Sequence, residues 1–195
     1  MELPLTRHAG SGAPDEDDAP QVYLDLAAPE SLLVAERALH VLPVAAEWVP
    51  VDLGPPGEFD WDALAATLAA RDLQPLRRPP FPFDAAYANR TWTYAKQIGR
   101  TVAFGQAALR QAYAGGWDLS VPDHVLIAAS GCEMHPNAIL KAVETRSVRG
   151  ALEAATARAR SRGLQHAPGV WAAGRMFPGD RGLDDAAAVL AELRG

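Results

Sequence analysis

Gln21-Val22-Tyr23-Leu24-Asp25-Leu26-Ala27-Ala28-Pro29-Glu30-Ser31-Leu32-Leu33 starts with the composition of a strand and ends with that of a helix. Val22, Tyr23, Leu24 and Leu26 are the β-branched, aromatic and aliphatic residues that fill a pleated surface. Ala27-Ala28-Pro29 interrupts them. Proline suits a first helical position, where its missing N–H would have no intrahelical acceptor. Leu32, Leu33, Ala35, Glu36 and Leu39 then carry a helical period. A second strand is predicted over residues 47–53, ending at Gly54-Pro55-Pro56-Gly57, so the chain opens β-α-β.

Beyond this unit the pattern turns helical. Asp60 is placed to cap a helix over 61–70, one long helix is predicted over 85–114, and shorter ones over 123–130 and 136–143. Arg77-Arg78-Pro79-Pro80-Phe81-Pro82 reads as a rigid extended link, and Gly115-Gly116 stops the long helix. After a helix over 148–162, Gly163 ends the run. Short extended pieces follow at Gly169-Val170-Trp171-Ala172 and Arg175-Met176-Phe177 around Gly174, with a last helix over 183–193. This order predicts an α/β domain split by helices: an acidic disordered tail at 1–20, a first α/β part at 21–58, a helical insertion at 59–147 and a second α/β part at 148–195.

Composition narrows the function classes. With 49% hydrophobic and 22% charged residues, the chain can bury a core, which excludes wholesale disorder. Its formal charge of -6 gives no global attraction to nucleic acid or an anionic membrane. Cys132 is the only cysteine, so no intrachain disulfide can form and a reducing compartment fits best. The opening residues carry no basic start and apolar run of a signal peptide, and no stretch offers about 18 uninterrupted apolar residues. A cytoplasmic location is therefore expected, with no membrane and no nucleic-acid partner.

The backbone N–H groups at the helix start near Ala28, Pro29 and Glu30 make a place that favours an anion or a thiolate. In sequence and order, Asp25-Leu26-Ala27-Ala28-Pro29-Glu30-Ser31, Pro79-Pro80-Phe81-Pro82, Ala88-Asn89, Ala167-Pro168-Gly169 and Gly179-Asp180-Arg181-Gly182-Leu183 together resemble the DsbA-like thioredoxin superfamily. The likeness is to its 2-hydroxychromene-2-carboxylate isomerase and kappa-class glutathione transferase branch, and covers residues 22 to 193. It implies an α/β thioredoxin-like fold (β-α-β … β-β-α) with an inserted all-helical subdomain. It also implies a ligand site at Ala28, Pro29, Glu30, His166, Ala167, Pro168, Asp180 and Arg181, with Pro168 cis and glutathione or another low-molecular-weight thiol as ligand. The family's reactive cysteine or serine falls on Ala28, which carries neither thiol nor hydroxyl.

Ser31 takes the second position of the Cys-x-x-Cys spacing and is the remaining catalytic candidate, although a hydroxyl one turn into a helix commonly bonds backbone. Glu30 places a negative charge where a thiolate would sit, which raises rather than lowers a thiol's pKa. Cys132-Glu133-Met134-His135 with His124 falls short of the four spaced ligands of a structural zinc site, so no metal is expected. These features point to a thioredoxin-fold protein with a degenerate active site that binds a small molecule or thiol without dithiol redox activity. A glutathione-dependent isomerase or transferase, and a dimeric interaction scaffold, are the rival readings.

Overall fold

The computed structural model describes residues 19–194. The acidic run at 15–18 lies outside them, whereas Pro20, counted with the tail in the sequence reading, already belongs to the fold. It is buried, and its carbonyl accepts the Glu47 N–H at 2.8 Å.

Strand β1 (Gln21–Leu24) is buried at all four residues because it is an inner strand with both faces covered. Helix α1 (Ser31–Val41) crosses back to β2 (Glu47–Pro50), which pairs parallel to β1, a pairing that a tight turn cannot connect. The sheet order is β2-β1-β3-β4, with β3 (Gly169–Ala172) antiparallel to β1 and β4 (Arg175–Pro178) antiparallel to β3. Ala173 and Gly174 join β3 to β4 with φ of 50° and 74°, the left-handed pair that matches hairpin twist. Between the two halves run α2 (Trp61–Ala70), α3 (Ala86–Gln97), α4 (Thr101–Tyr113), α5 (Pro122–Ser130), α6 (Pro136–Ala142) and α7 (Arg146–Ser161). Helix α8 (Gly179–Glu192) closes the fold and packs on β3, β4 and α1.

Several element ends differ from the sequence reading. The helix expected over 85–114 is two helices, α3 and α4, because Gly99 adopts φ of 74° and lets the Arg100 N–H return to the Ala95 carbonyl at 2.7 Å. That six-residue return closes a helix with its own hydrogen bonds, and apolar periodicity on both sides hides it. Helix α1 starts at Ser31 rather than Pro29, since the Ala28 N–H and Ser31 N–H first make turn bonds to the Asp25 and Ala28 carbonyls. Asp60 caps α2 as expected, accepting from the Asp62 and Ala63 N–H groups.

The main core runs from α1 through β1 and β3 into the insertion, where Trp92, Phe104, Leu109 and Tyr113 are fully buried. A smaller one lies on the other face of the sheet, where Tyr23, Val49, Val51, Ala159 and Leu164 pack together. Helix α3 meets α4 at Gly105, where a β-carbon would stand 2.1 Å from the Trp92 ring. That ring is held by its Nε1–H, which donates to the Thr101 carbonyl at 2.7 Å, so it cannot swing aside. Gly105→Ala should therefore lower the unfolding free energy by about 1–3 kcal/mol, the usual cost of overpacking a filled core. Urea denaturation followed by tryptophan fluorescence measures the difference, and an unchanged midpoint would contradict this packing.

Candidate ligand site at the turn between β1 and α1

A buried carboxylate organises the turn. Asp25 is fully buried, and its Oδ1 accepts from the Ala27 N–H and the Asn89 side-chain amide, both at 2.8 Å. Its Oδ2 accepts from the Leu53 N–H at 2.7 Å and the Gly54 N–H at 3.0 Å. Burial pushes this carboxyl above its ordinary range, the donors from Ala27, Asn89 and Leu53 pull it back, and neighbouring Asp52 pushes it up again. All four contacts come from N–H donors, so the geometry suits the ionised form. Asn89 also accepts the Leu26 N–H at 3.1 Å, and the Tyr113 hydroxyl donates to the Leu26 carbonyl at 2.8 Å. The insertion thus binds directly to the turn through α3 and α4.

The expected site residues fall into three groups. Ala28, Pro29, Ala167 and Pro168 are all buried, and Ala28, at 1% exposure, belongs to the smaller core together with Ala167 and Ala159 of α7. The Ala167–Pro168 peptide bond is cis, as is Phe81–Pro82. Ser31 is fully buried, and its Oγ accepts the Asp25 N–H at 3.3 Å, so its hydroxyl supports the turn and does not reach solvent. His166 and Arg181 are exposed, and their side chains make no hydrogen bond or ion pair among the described residues.

Glu30, Pro168 and Asp180 do meet. The Pro168 carbonyl accepts the Gly179 N–H at 2.8 Å, and Glu30 Oε1 accepts the Asp180 N–H at 2.8 Å. Asp180 lies in the first turn of α8, not ahead of the helix as the sequence suggested. Glu30 therefore satisfies one of the free amides at the start of α8, a place where negative charge is favoured. The Asp180 carboxylate is itself engaged: Arg37 Nη1 donates to it at 3.0 Å, and Arg71 donates through Nη1 at 2.8 Å and Nη2 at 2.5 Å. Burial alone would raise the Asp180 pKa, but the two guanidiniums outweigh it and hold the carboxyl below its ordinary value.

The turn also sets the position of residues that the sequence did not mark. Leu53 and Asn89 are fixed by Asp25, and their chain neighbours Asp52 and Arg90 line a cavity of about 540 Å³. Leu152, Thr156, Ala157 and Arg160 of α7 form its other wall. The Asp52 N–H donates to Thr156 Oγ1 at 2.9 Å, tying the chain after β2 to α7. Burial raises the Asp52 pKa and Asp84 raises it further, whereas Asn89, Arg90 and Arg160 pull it down. A polar pair one residue from a buried hub was the available signal, but only the fold brings α7 across to complete the cavity. Among the described residues no group of three or more His, Cys, Asp or Glu could hold a metal ion. Cys132 is buried between α5 and α6, its Sγ donates to the Ala128 carbonyl at 3.4 Å, and burial raises its pKa.

No protein-family model matches the sequence, and no curated protein matches it. Solved structures do match in fold. A 2-hydroxychromene-2-carboxylate isomerase superposes with a TM-score of 0.74 at 15% identity, over 90% of this chain and 96% of its own. A probable DsbA oxidoreductase from Streptomyces coelicolor gives 0.72 at 17% identity, over 91% of this chain and 90% of its own. The DsbA disulfide interchange protein from Klebsiella pneumoniae gives 0.59 at 9% identity, over 97% and 98%. The chain has the α/β thioredoxin-like fold with a helical insertion.

Asp25→Asn should cost about 3 kcal/mol or more, because an amide NH2 would face N–H donors and leave buried groups unpaired. Chemical denaturation at neutral pH tests this, and a loss below about 1 kcal/mol would show that the carboxylate is not the hub. Asp180 has a pH signature as well. Its depressed folded pKa contributes stability that is present above the unfolded value of about 3.9 and disappears as pH falls through the folded value. Asp180→Asn should thus be less stable than wild type at pH 7, with the gap closing below about pH 4. Thermal melts across pH 2.5–7 would read it, and a pH-independent gap would contradict the ion pairs.

Proposed function

We propose that this protein uses a thioredoxin-like fold to bind a small molecule and carries out no dithiol–disulfide turnover. The observation that carries the reading is Ala28. It stands in the turn just before α1, where this kind of fold presents a reactive side chain, and it is buried in the smaller core that also holds Ala159 of α7. A thiolate nucleophile must be exposed to be attacked or to attack, and here neither a sulfur nor an open surface is available. Cys132 sits in the insertion with its pKa raised by burial, the environment of an inert thiol.

The glutathione-dependent isomerase or transferase reading draws support from the fold it shares with an isomerase. It lacks a polarising group at the turn, since Ser31 is buried on the Asp25 amide and Asp180 is engaged by two arginines. Glutathione thus has no evident anchor at the position of the resemblance. Cytoplasmic residence belongs to the same proposal, resting on the unpaired Cys132; no helix among the described residues is long and apolar enough to cross a membrane.

Insulin reduction by dithiothreitol gives the test. Wild type and Cys132→Ser should both leave the uncatalysed rate unchanged, and in a separate calorimetric titration with glutathione Ala28→Ser should bind no more tightly than wild type, because position 28 is buried in the smaller core. Catalysis by wild type, or glutathione binding that appears on Ala28→Ser alone, would overturn the reading. The first result would restore redox chemistry and the second an open thiol site.

A further inference from the structure

We infer that the cavity between α3, α7 and the chain after β2 recognises an α-amino acid head group, a carboxylate and an ammonium on one carbon. This rests on the reading of a small-molecule binder and names its ligand class. At about 540 Å³ the cavity falls in the range of small-molecule sites. It lies on the α7 face of the sheet, apart from the closed contact between Glu30 and the start of α8.

The charges on its walls do not pair with one another. The Arg90 side chain makes no hydrogen bond or ion pair among the described residues, and its Nε is buried without an acceptor. A buried donor left in this state costs about 1–3 kcal/mol and calls for a partner. Arg160, on the facing helix, also has no ion pair among the described residues. Both are close enough to Asp52 to pull its pKa down, yet neither closes on it as an ion pair. The third arginine, Arg149, is already paired with Glu144.

That leaves two guanidiniums, Arg90 and Arg160, facing two carboxylates, Asp52 and Glu153, around one space. A simple anion would meet the two carboxylates and a simple cation the two guanidiniums. A zwitterion satisfies both, its carboxylate taken by the planar arginine fork and its ammonium by Asp52. Leu152 and Ala157 add an apolar wall, which suits an aliphatic side chain. Thr156 accepts the Asp52 N–H and keeps its own hydroxyl proton to donate. The positions are set in advance: Asp25 holds Asn89 and Leu53, and so fixes the backbone from which Arg90 and Asp52 project. Preorganisation of this kind lowers the cost of binding.

Isothermal titration calorimetry with L-leucine on the full chain tests the inference, after a thermal-shift screen of the standard L-amino acids to find any tighter side chain. Wild type should bind saturably. 4-Methylpentanoate, which lacks the ammonium, and 3-methylbutylamine, which lacks the carboxylate, should each bind at least tenfold more weakly. Arg90→Gln and Asp52→Asn should each weaken L-leucine binding tenfold or more. Arg160→Gln, on the exposed side of α7, should weaken it with an unchanged urea midpoint, which separates lost recognition from lost folding. Three outcomes overturn the inference: no binding by any amino acid screened, binding of the carboxylate alone as tightly as L-leucine, or equal affinity in wild type and all three variants. Each leaves the insulin assay untouched, so the loss of this ligand class is distinguishable from the loss of the non-redox reading.

Discussion

A carboxylate buried with four N–H donors around it is the constraint on which the rest of this molecule turns. Taking an ionised group out of water costs several kcal/mol, and only a full set of hydrogen bonds makes the position tolerable. Asp25 obtains that set from three places at once: its own turn through Ala27, the chain after β2 through Leu53 and Gly54, and helix α3 through Asn89. One side chain thereby joins both ends of the β-α-β unit to the insertion. The helical segment cannot move as a free lid without exposing or orphaning these donors.

Around this hub the charged groups divide by face. On the side of α1 and α8, Asp180 is bound by Arg37 and Arg71 while Glu30 takes its amide, so acid and base are matched and the surface is closed. On the side of α7, Asp52, Arg90 and Arg160 face one another without closing into ion pairs. Ala28 and Ala167 are buried in the smaller core, which also holds Ala159 of α7 and Leu164 just beyond that helix. Alanine at position 28 offers neither a thiol nor a hydroxyl, and burial keeps its methyl group from solvent.

Much of the architecture was legible along the chain. The run from Gln21 to Leu33, the Asp60 cap, and the Gly174 hairpin each carry local chemistry that permits few other conformations, and the structure has them. The break at Gly99 was not legible, because one glycine in a helical pattern can be interior or a stop. Tertiary packing of Gly105 against Trp92, which sets α4 against α3, decides between them. The same limit applies to Asp180, a ligand-site residue by resemblance, whose carboxylate is instead taken by Arg37 and Arg71 from positions 143 and 109 residues away in sequence.

By itself, then, the sequence determined the order of strands and helices, the absence of any cysteine pair, and the alanine where reactive chemistry was expected, because these depend on residue identity and near neighbours. Whether Ala28 faces a cleft or a core, which carboxylate is satisfied, and which arginines keep a free donor were decided only by the tertiary structure. Burial and pairing are properties of groups brought together from distant parts of the chain, and no local pattern of side chains records the helix that will lie across them.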